Sequence, residues 1–240
     1  MITIDDISTL SDSGNYIPML DAIQNFVWYE DGLYNNTEKE LDTLITCLKA
    51  ASDEGHSDAM NMLGALYAEG RFIDQNSEQA FLWYKKASEH GNALATSNLG
   101  FCYMYGNGTE RNYEKAYKAF SKAALLDIGD AIVRLGDMYM FGNYVEKDEY
   151  TALKLYSKAV DMATKNLQDW GMQQVYSDAT RRIGDCYYYG NAVKKDISQA
   201  IIYYAEALHY YKIRENRGDS YSSVGYEKTK NRIKEALMNM

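Results

Sequence analysis

Through the middle of the chain, apolar positions recur with the period of a helix. Ala95, Leu99, Cys102 and Tyr103 are separated by four, three and one residues, which places them on one helical face. The stretch is one copy of several. The Leu-Gly pair at Leu63-Gly64 returns at Leu99-Gly100 and Leu135-Gly136, each time after 36 residues, and as Ile183-Gly184 after a further 48. Three residues past each glycine stands a tyrosine (Tyr67, Tyr103, Tyr139, Tyr187), and three further on another glycine (Gly70, Gly106, Gly142, Gly190). After a short loop comes a residue able to cap a helix: Asn76, Asn112, Asp148 or Asp196. Its side-chain oxygen accepts hydrogen bonds from the orphan amides of a first helical turn. An alanine follows (Ala80, Ala116, Ala152, Ala200), then an aromatic residue (Tyr84, Phe120, Tyr156, Tyr204), then another alanine (Ala87, Ala123, Ala159, Ala207).

Each unit therefore predicts a helix A, a loop opened by glycine, and a capped helix B. The small columns have a steric meaning, because side chains larger than methyl would hold crossing helices apart. Gly100 inside helix A costs about 1 kcal/mol against alanine, which close packing must offset. Pro18 is the single proline, consistent with uninterrupted helices. The 23 tyrosines suit positions between neighbouring helices, ring buried and hydroxyl wet.

This column pattern resembles the Sel-one-like repeat, a relative of the tetratricopeptide repeat. The stretches Ala59 to Gly91 and Ala95 to Gly129 carry it most fully, including Lys86-Ala87 and Gly91. The resemblance implies an all-α fold, a right-handed α-α superhelix (solenoid) of about five antiparallel helix pairs with capping helices. It also implies that helix A lines the inner side of the curve. The family's glycine-x-glycine loop survives only in Gly106-Asn107-Gly108.

Solenoid ends have a neighbour on one side only and are therefore atypical. We read residues 1–36 as an N-terminal cap, 37–211 as the repeat array and 212–240 as a C-terminal capping helix. Thr37-Glu38-Lys39-Glu40 reads as a capping box opening a helix that runs to about Ser52, a degenerate helix B. Pro18 to Tyr29 suits its helix A partner, with Trp28 where the pattern asks for glycine. Ser222 to Met238 suits the terminal helix, with Ile233 and Leu237 facing inward. The last interval carries twelve extra residues around 160–180, read as a lengthened helix pair turning near Asp169-Trp170-Gly171. Such an insertion is either a binding element or an extra packing surface.

The net charge of −9 and pI near 4.9 offer no basic footprint for nucleic acid or an anionic membrane. Met1 to Leu10 has no secretory leader pattern, and three cysteines (Cys47, Cys102, Cys186) make no disulfide framework. Both point to a cytoplasmic protein. No nucleophile elbow, Ser-x-x-Lys, phosphate loop or zinc helix is present. His56, His90 and His209 are scattered, Cys102 and Cys186 occupy a core column, and Asp5-Asp6 lies in a frayed terminus. Some members of the resembled family have been called β-lactamases, but they carry paired cysteines that these repeats lack. We expect no enzyme activity, no cofactor and no metal.

What remains is a binding face. On helix A the positions opposite the apolar columns include Ser97, Phe101 and Met104, then Val133, Asp137 and Met140, then Arg181, Asp185 and Tyr188. Exposed Phe101, Met104, Met140 and Tyr188, flanked by Asp137, Arg181 and Asp185, would make a mixed apolar track for a peptide or helix. The alternative for this stripe is burial between units. Trp170 on the insertion joins the candidates. The partner expected is a protein or peptide, not nucleic acid, membrane or a small-molecule substrate. A scaffold or adaptor is the leading reading. An acidic neutraliser of a basic toxin or enzyme is the second, and a β-lactamase-like hydrolase a distant third.

Overall fold

A computed structural model describes residues 4–24, 38–70, 73–216 and 220–239. It is all-α, 79% helical, with helix-pair packing of the α-α superhelix class and no strand among the described residues. The chain divides into two compact units, 1–119 and 120–240.

The first unit holds α1 (Ile4–Asp12), α2 (Tyr16–Gln24), α3 (Glu38–Asp53), α4 (Ser57–Glu69), α5 (Ser77–Glu89) and α6 (Ala93–Tyr105). Helix α7 (Tyr113–Ala124) carries the boundary. The second unit holds α8 (Gly129–Phe141), α9 (Glu149–Ala163), a 3-10 turn at Thr164–Asn166, α10 (Trp170–Tyr189), α11 (Ile197–Glu215) and α12 (Ser220–Met238). Helices α4, α6, α8 and α10 are the A helices of the four repeats, and α5, α7, α9 and α11 their B helices.

Backbone hydrogen bonds explain why the loop columns recur. The glycine closing helix A is left-handed, and its N–H donates to the carbonyl four residues back, at Leu66, Cys102, Met138 and Cys186 in turn. The chain then returns so that the capping residue's N–H donates to the carbonyl of the tyrosine column. These bonds are Asn76 to Tyr67 (2.9 Å), Asn112 to Tyr103 (2.7 Å), Asp148 to Tyr139 (2.9 Å) and Asp196 to Tyr187 (2.9 Å). The capping side chain accepts from the N–H three residues on, in Gln79, Lys115, Thr151 and Gln199. One Asn or Asp thus ties two helices together and opens the second.

The glycine-x-glycine loop is retained as a conformation where the second glycine is lost. Gly108, Tyr144 and Ala192 all have positive φ, at 69°, 71° and 62°. Tyr144 and Ala192 bear the cost of a left-handed non-glycine residue, about 1–2 kcal/mol. Gly108 has a further constraint, since a Cβ there would lie 1.9 Å from the Ser77 carbonyl oxygen. Gly108→Ala should therefore destabilise the chain by about 3 kcal/mol, more than the left-handed strain alone requires. Urea unfolding checks this, and a Gly108→Ala midpoint equal to wild type would remove the steric account.

The terminal elements depart from the sequence reading in three places. Asp5 and Asp6 sit in the first turn of α1, and Ile7 is buried against Met19, Ile23, Leu44 and Leu48, so this segment is packed rather than frayed. Leu237 is 59% exposed, whereas Ser222, Thr229 and Ala236, seven residues apart, are buried. Small residues face inward there because α12 approaches α11 closely, with Gly225 lying on the Tyr211 ring. The inserted residues mostly lengthen one helix: α10 has 20 residues where α6 and α8 have 13, and Asp169 is its N-cap. Thr37 and Trp28, and the side chain of Glu40, lie outside the described residues, so the capping box and the glycine substitution do too.

Candidate functional site

In the second unit the helix A face is built by an arrangement that recurs. The helix B tyrosine lies across the helix A glycine, Tyr156 on Gly136 and Tyr204 on Gly184. The ring then carries its hydroxyl to the aspartate that follows the glycine. Tyr156 donates to Asp137 (2.9 Å) and Tyr204 to Asp185 (2.8 Å). Arginines two and three residues before the glycine complete the pattern. Arg182 grips Asp137 with two nitrogens, Nε at 2.5 Å and Nη2 at 2.8 Å. Arg134 bridges Asp137 (3.0 Å) and Asp178 (3.5 Å), and Arg181 pairs with Asp185 (2.7 Å). Tyr211 donates to Asp178, and Arg232 on α12 reaches Asp185 at 3.5 Å.

The electrostatics follow from this crowding. Burial pushes the Asp137 carboxyl up, but Arg182, Arg134 and the Tyr156 hydroxyl together outweigh it and hold the carboxyl at about 2. Asp178 is lowered likewise, burial being overcome by Arg182 and then Arg134. Arg182 is held charged, with Asp137 overcoming its own desolvation. Asp130 is the exception. Burial raises its carboxyl despite the pull of Arg134, and its buried Oδ1 has no hydrogen bond among the described residues.

In the first unit the corresponding face is less charged. A cavity of about 230 Å³ opens between α4, α5 and α6. Its floor is Ala80, Tyr84, Phe101 and Cys102, and its rim carries the amides of Gln75, Asn98 and Asn107. Asn98 is oriented by a 3.1 Å bond from its Nδ2 to Asn61 Oδ1, and Gln75 donates to the Ala68 carbonyl (2.8 Å).

These placements revise the expected track. Met104 and Met140 are each only 7% exposed, and Ser97, Val133 and Arg181 are also buried. Helix α8, which carries Val133 and Met140, is covered on two sides, by its own helix B, α9, and by α10 of the next pair. Phe101 and Tyr188 are half-buried, Phe101 stacking on Tyr105 and Tyr188 meeting Tyr189 edge-on. Asp137, Arg181 and Asp185 come together in the charged network, while half-buried Trp170 opens α10. The exposed aromatic column lies one residue further along than expected: Tyr105, Phe141 (70% exposed) and Tyr189, each just before the closing glycine. That column was readable as three aromatics in register. The tyrosine-aspartate link was also readable, as Gly136-Asp137 and Gly184-Asp185 with a tyrosine nineteen residues after each aspartate. Arg232 could not be assigned from repeat register, because α12 lies outside it.

Cys102 and Cys186 are buried, which pushes their thiols up to about 11 and about 12, away from nucleophilic use. Among the described residues no group of three or more His, Cys, Asp or Glu is placed to hold a metal ion. Nor is any helix there long and apolar enough to cross a membrane.

The charge is unevenly divided. Residues 1–119 contain 8 Lys and Arg against 18 Asp and Glu, and residues 120–240 contain 17 against 16. The acidity of the chain belongs to its first unit.

Comparison with known proteins agrees with the fold. The chain is similar to the crystal structure of a Sel1 repeat protein from Oxalobacter formigenes, with TM-score 0.64 and 22% identity, covering 98% of this chain and 94% of that one. It is also similar to c5321, a protective antigen of uropathogenic Escherichia coli with an SLR fold. There the TM-score is 0.58 at 22% identity, and the match covers 98% of this chain but 56% of that one. Immunity protein Pa5087 from Pseudomonas aeruginosa matches with TM-score 0.50 and 17% identity, covering 95% of this chain and 81% of that one. No curated protein sequence matches the chain. The Sel1 repeat model matches residues 57–92, 93–128, 129–163 and 177–212, which are the four helix pairs described above. The Sel1 repeat scaffold fits a protein-interaction role and is generally non-catalytic. With these four matches spanning most of its length, the chain belongs to the Sel1 repeat family.

Proposed function

We propose that this protein is a non-catalytic, cytoplasmic interaction scaffold that grips a segment of a partner protein on its helix A face. The observation that carries this reading is the groove of the first unit. An apolar floor of Phe101, Tyr84 and Ala80 takes one side chain, while the oriented amides of Asn98 and Gln75 are suited to a peptide backbone. Buried apolar anchors with a polar rim are the usual anatomy of segment recognition. The three cysteines are free and buried, in keeping with a reducing compartment.

Affinity capture from the native cell tests the reading, with wild type beside Phe101→Ala plus Asn98→Ala. Loss of two anchor contacts should weaken capture by about tenfold or more while the melt stays near wild type. If the folded double variant holds the same partners equally well, the groove is not the grip.

A second reading has its own support. The 18 acidic residues against 8 basic ones in residues 1–119 suit a neutraliser of a basic toxin or enzyme, and one structurally similar protein is an immunity protein. Binding of that kind would weaken steeply with salt and ignore the Phe101 substitution.

A further inference from the structure

The exposed side of α12 carries a chemical pattern that is the same read in either direction. Val224, Glu227, Lys228, Asn231, Lys234, Glu235 and Met238 are all exposed, and their spacing is that of one helical stripe. At about 100° per residue, all seven lie within about 60° of the direction of Asn231. Ser222, Thr229 and Ala236, which are buried, fall on the opposite side, where α12 packs on α11 and α10. Outward from Asn231 the stripe runs lysine, glutamate, apolar both ways: Lys228, Glu227, Val224 and Lys234, Glu235, Met238. The apolar ends are the barest positions, Val224 at 72% and Met238 at 84% exposed.

The ion pairs within the helix leave this pattern open. Glu227 Oε1 takes Lys230 at 3.0 Å, and Glu235 Oε2 takes Arg232 at 2.8 Å. Both carboxylates stay more than half exposed, and each has a second oxygen to offer. Lys228 and Lys234 have no carboxylate within ion-pair distance among the described residues. The stripe thus presents two glutamates and two lysines with no net charge, which suits neither a polyanion nor a polycation.

It suits a second copy of itself. Let a two-fold axis cross the helix at Asn231, so that residues before Asn231 in one copy meet residues after it in the other. Glu227 points about 40° to one side of the stripe, and Lys234 about 60° to that same side. The two-fold keeps the side and reverses the direction, so Glu227 of one copy meets Lys234 of the other. Lys228 and Glu235 share the opposite side and meet in the same way. Val224 comes to Met238, and the two Asn231 carboxamides face each other on the axis, where each can donate and accept. Every contact occurs twice, as an isologous interface requires. A parallel pair would instead set Glu227 on Glu227 and Lys228 on Lys228, so the charge order selects the antiparallel one.

We propose that this protein self-associates through α12 as a two-fold antiparallel helix pair. Glu227–Lys234 and Lys228–Glu235 pairs form between copies, with apolar contacts at both ends and Asn231 on the axis. The stripe is about 21 Å long and its charged pairs are exposed, so the association is of the weak, salt-sensitive class. It shares no residue with the groove of the first unit, so either reading stands if the other falls.

Sedimentation equilibrium of the full chain over a concentration series tests the proposal. Wild type should dimerise. Lys234→Glu sets like charges together at two places and should weaken the dimer about tenfold. Glu227→Lys should do the same, and the two substitutions together should restore it. Mild oxidation of single-cysteine variants reads the register, since the native cysteines are buried. Asn231→Cys should link two copies, whereas Val224→Cys should not, its counterpart lying at the far end of the pair. The proposal fails if wild type stays monomeric throughout, or if Lys234→Glu, with an unchanged melt, dimerises as wild type does. It fails equally if the double exchange does not restore the dimer. Linkage of Val224→Cys as ready as that of Asn231→Cys would overturn the antiparallel register.

Discussion

Gly136→Val is expected to destabilise the protein by about 3 kcal/mol, or roughly 6–12 °C in melting temperature for a chain of this size. A Cβ at residue 136 would lie 2.4 Å from Tyr156 Cε1 and 2.8 Å from Cδ1. The ring cannot yield, because Tyr156 is fully buried and its hydroxyl is held by Asp137. Moving it also disturbs a carboxylate gripped by two arginines. Gly136→Ala should cost less than valine but more than the about 1 kcal/mol that alanine ordinarily gains over glycine in a helix. Thermal and urea unfolding check both variants. A Gly136→Val melt within a degree of wild type would mean that the glycine column is not a seat for the tyrosine.

The same contact shows what the sequence made legible. The columns announced helix pairs, and each column has its expected place: alanines buried, capping residues at helix starts, glycines closing helix A. The partner of the helix A glycine was harder to see. Close packing suggested backbone against backbone, whereas the structure puts a tyrosine ring there, twenty residues downstream in Tyr84, Tyr156 and Tyr204. Period alone could not distinguish these, since both need a small residue.

The exposed aromatic column lies a single step further along the helix than the residues expected to be exposed. Positions opposite the apolar columns looked exposed on the assumption that helix A is covered from one side. In α8 it is covered from two, by α9 and α10, and Met140 is core; Met104 is buried as well, and the exposed aromatics are Tyr105, Phe141 and Tyr189. The charged network escaped for a different reason. Asp137 and Asp185 were read as flanking charges, but their meaning depends on Arg182 from the next repeat and Arg232 from α12, and repeat register does not say which side chains meet across helices.

Asp137→Asn should destabilise the chain by about 3 kcal/mol at neutral pH, because it removes the closer of the two carboxylates that Arg134 and Arg182 share and leaves them only Asp178, at 3.5 and 3.9 Å, in a largely buried site. Replacing the whole network by apolar groups could be neutral. Removing one member is costly because the remaining charges stay desolvated. The pH dependence separates charge from shape. Arg182 and Arg134 hold the folded Asp137 carboxyl at about 2, against an unfolded value near 4. Its contribution is therefore complete above about pH 4 and is lost as pH falls toward 2. Asp130 acts in the opposite sense: its raised carboxyl favours the folded state while protonated, and that advantage disappears as pH rises past the unfolded value. Asp130 is common to both proteins, so the difference between wild type and Asp137→Asn isolates Asp137. Melts in a buffer series should show that difference at full size from pH 5 to 7 and shrinking below about pH 4. A constant gap down to pH 2 would assign the loss to altered packing around Tyr156, and the ionised carboxylate would then have no special part in holding α8 to α10.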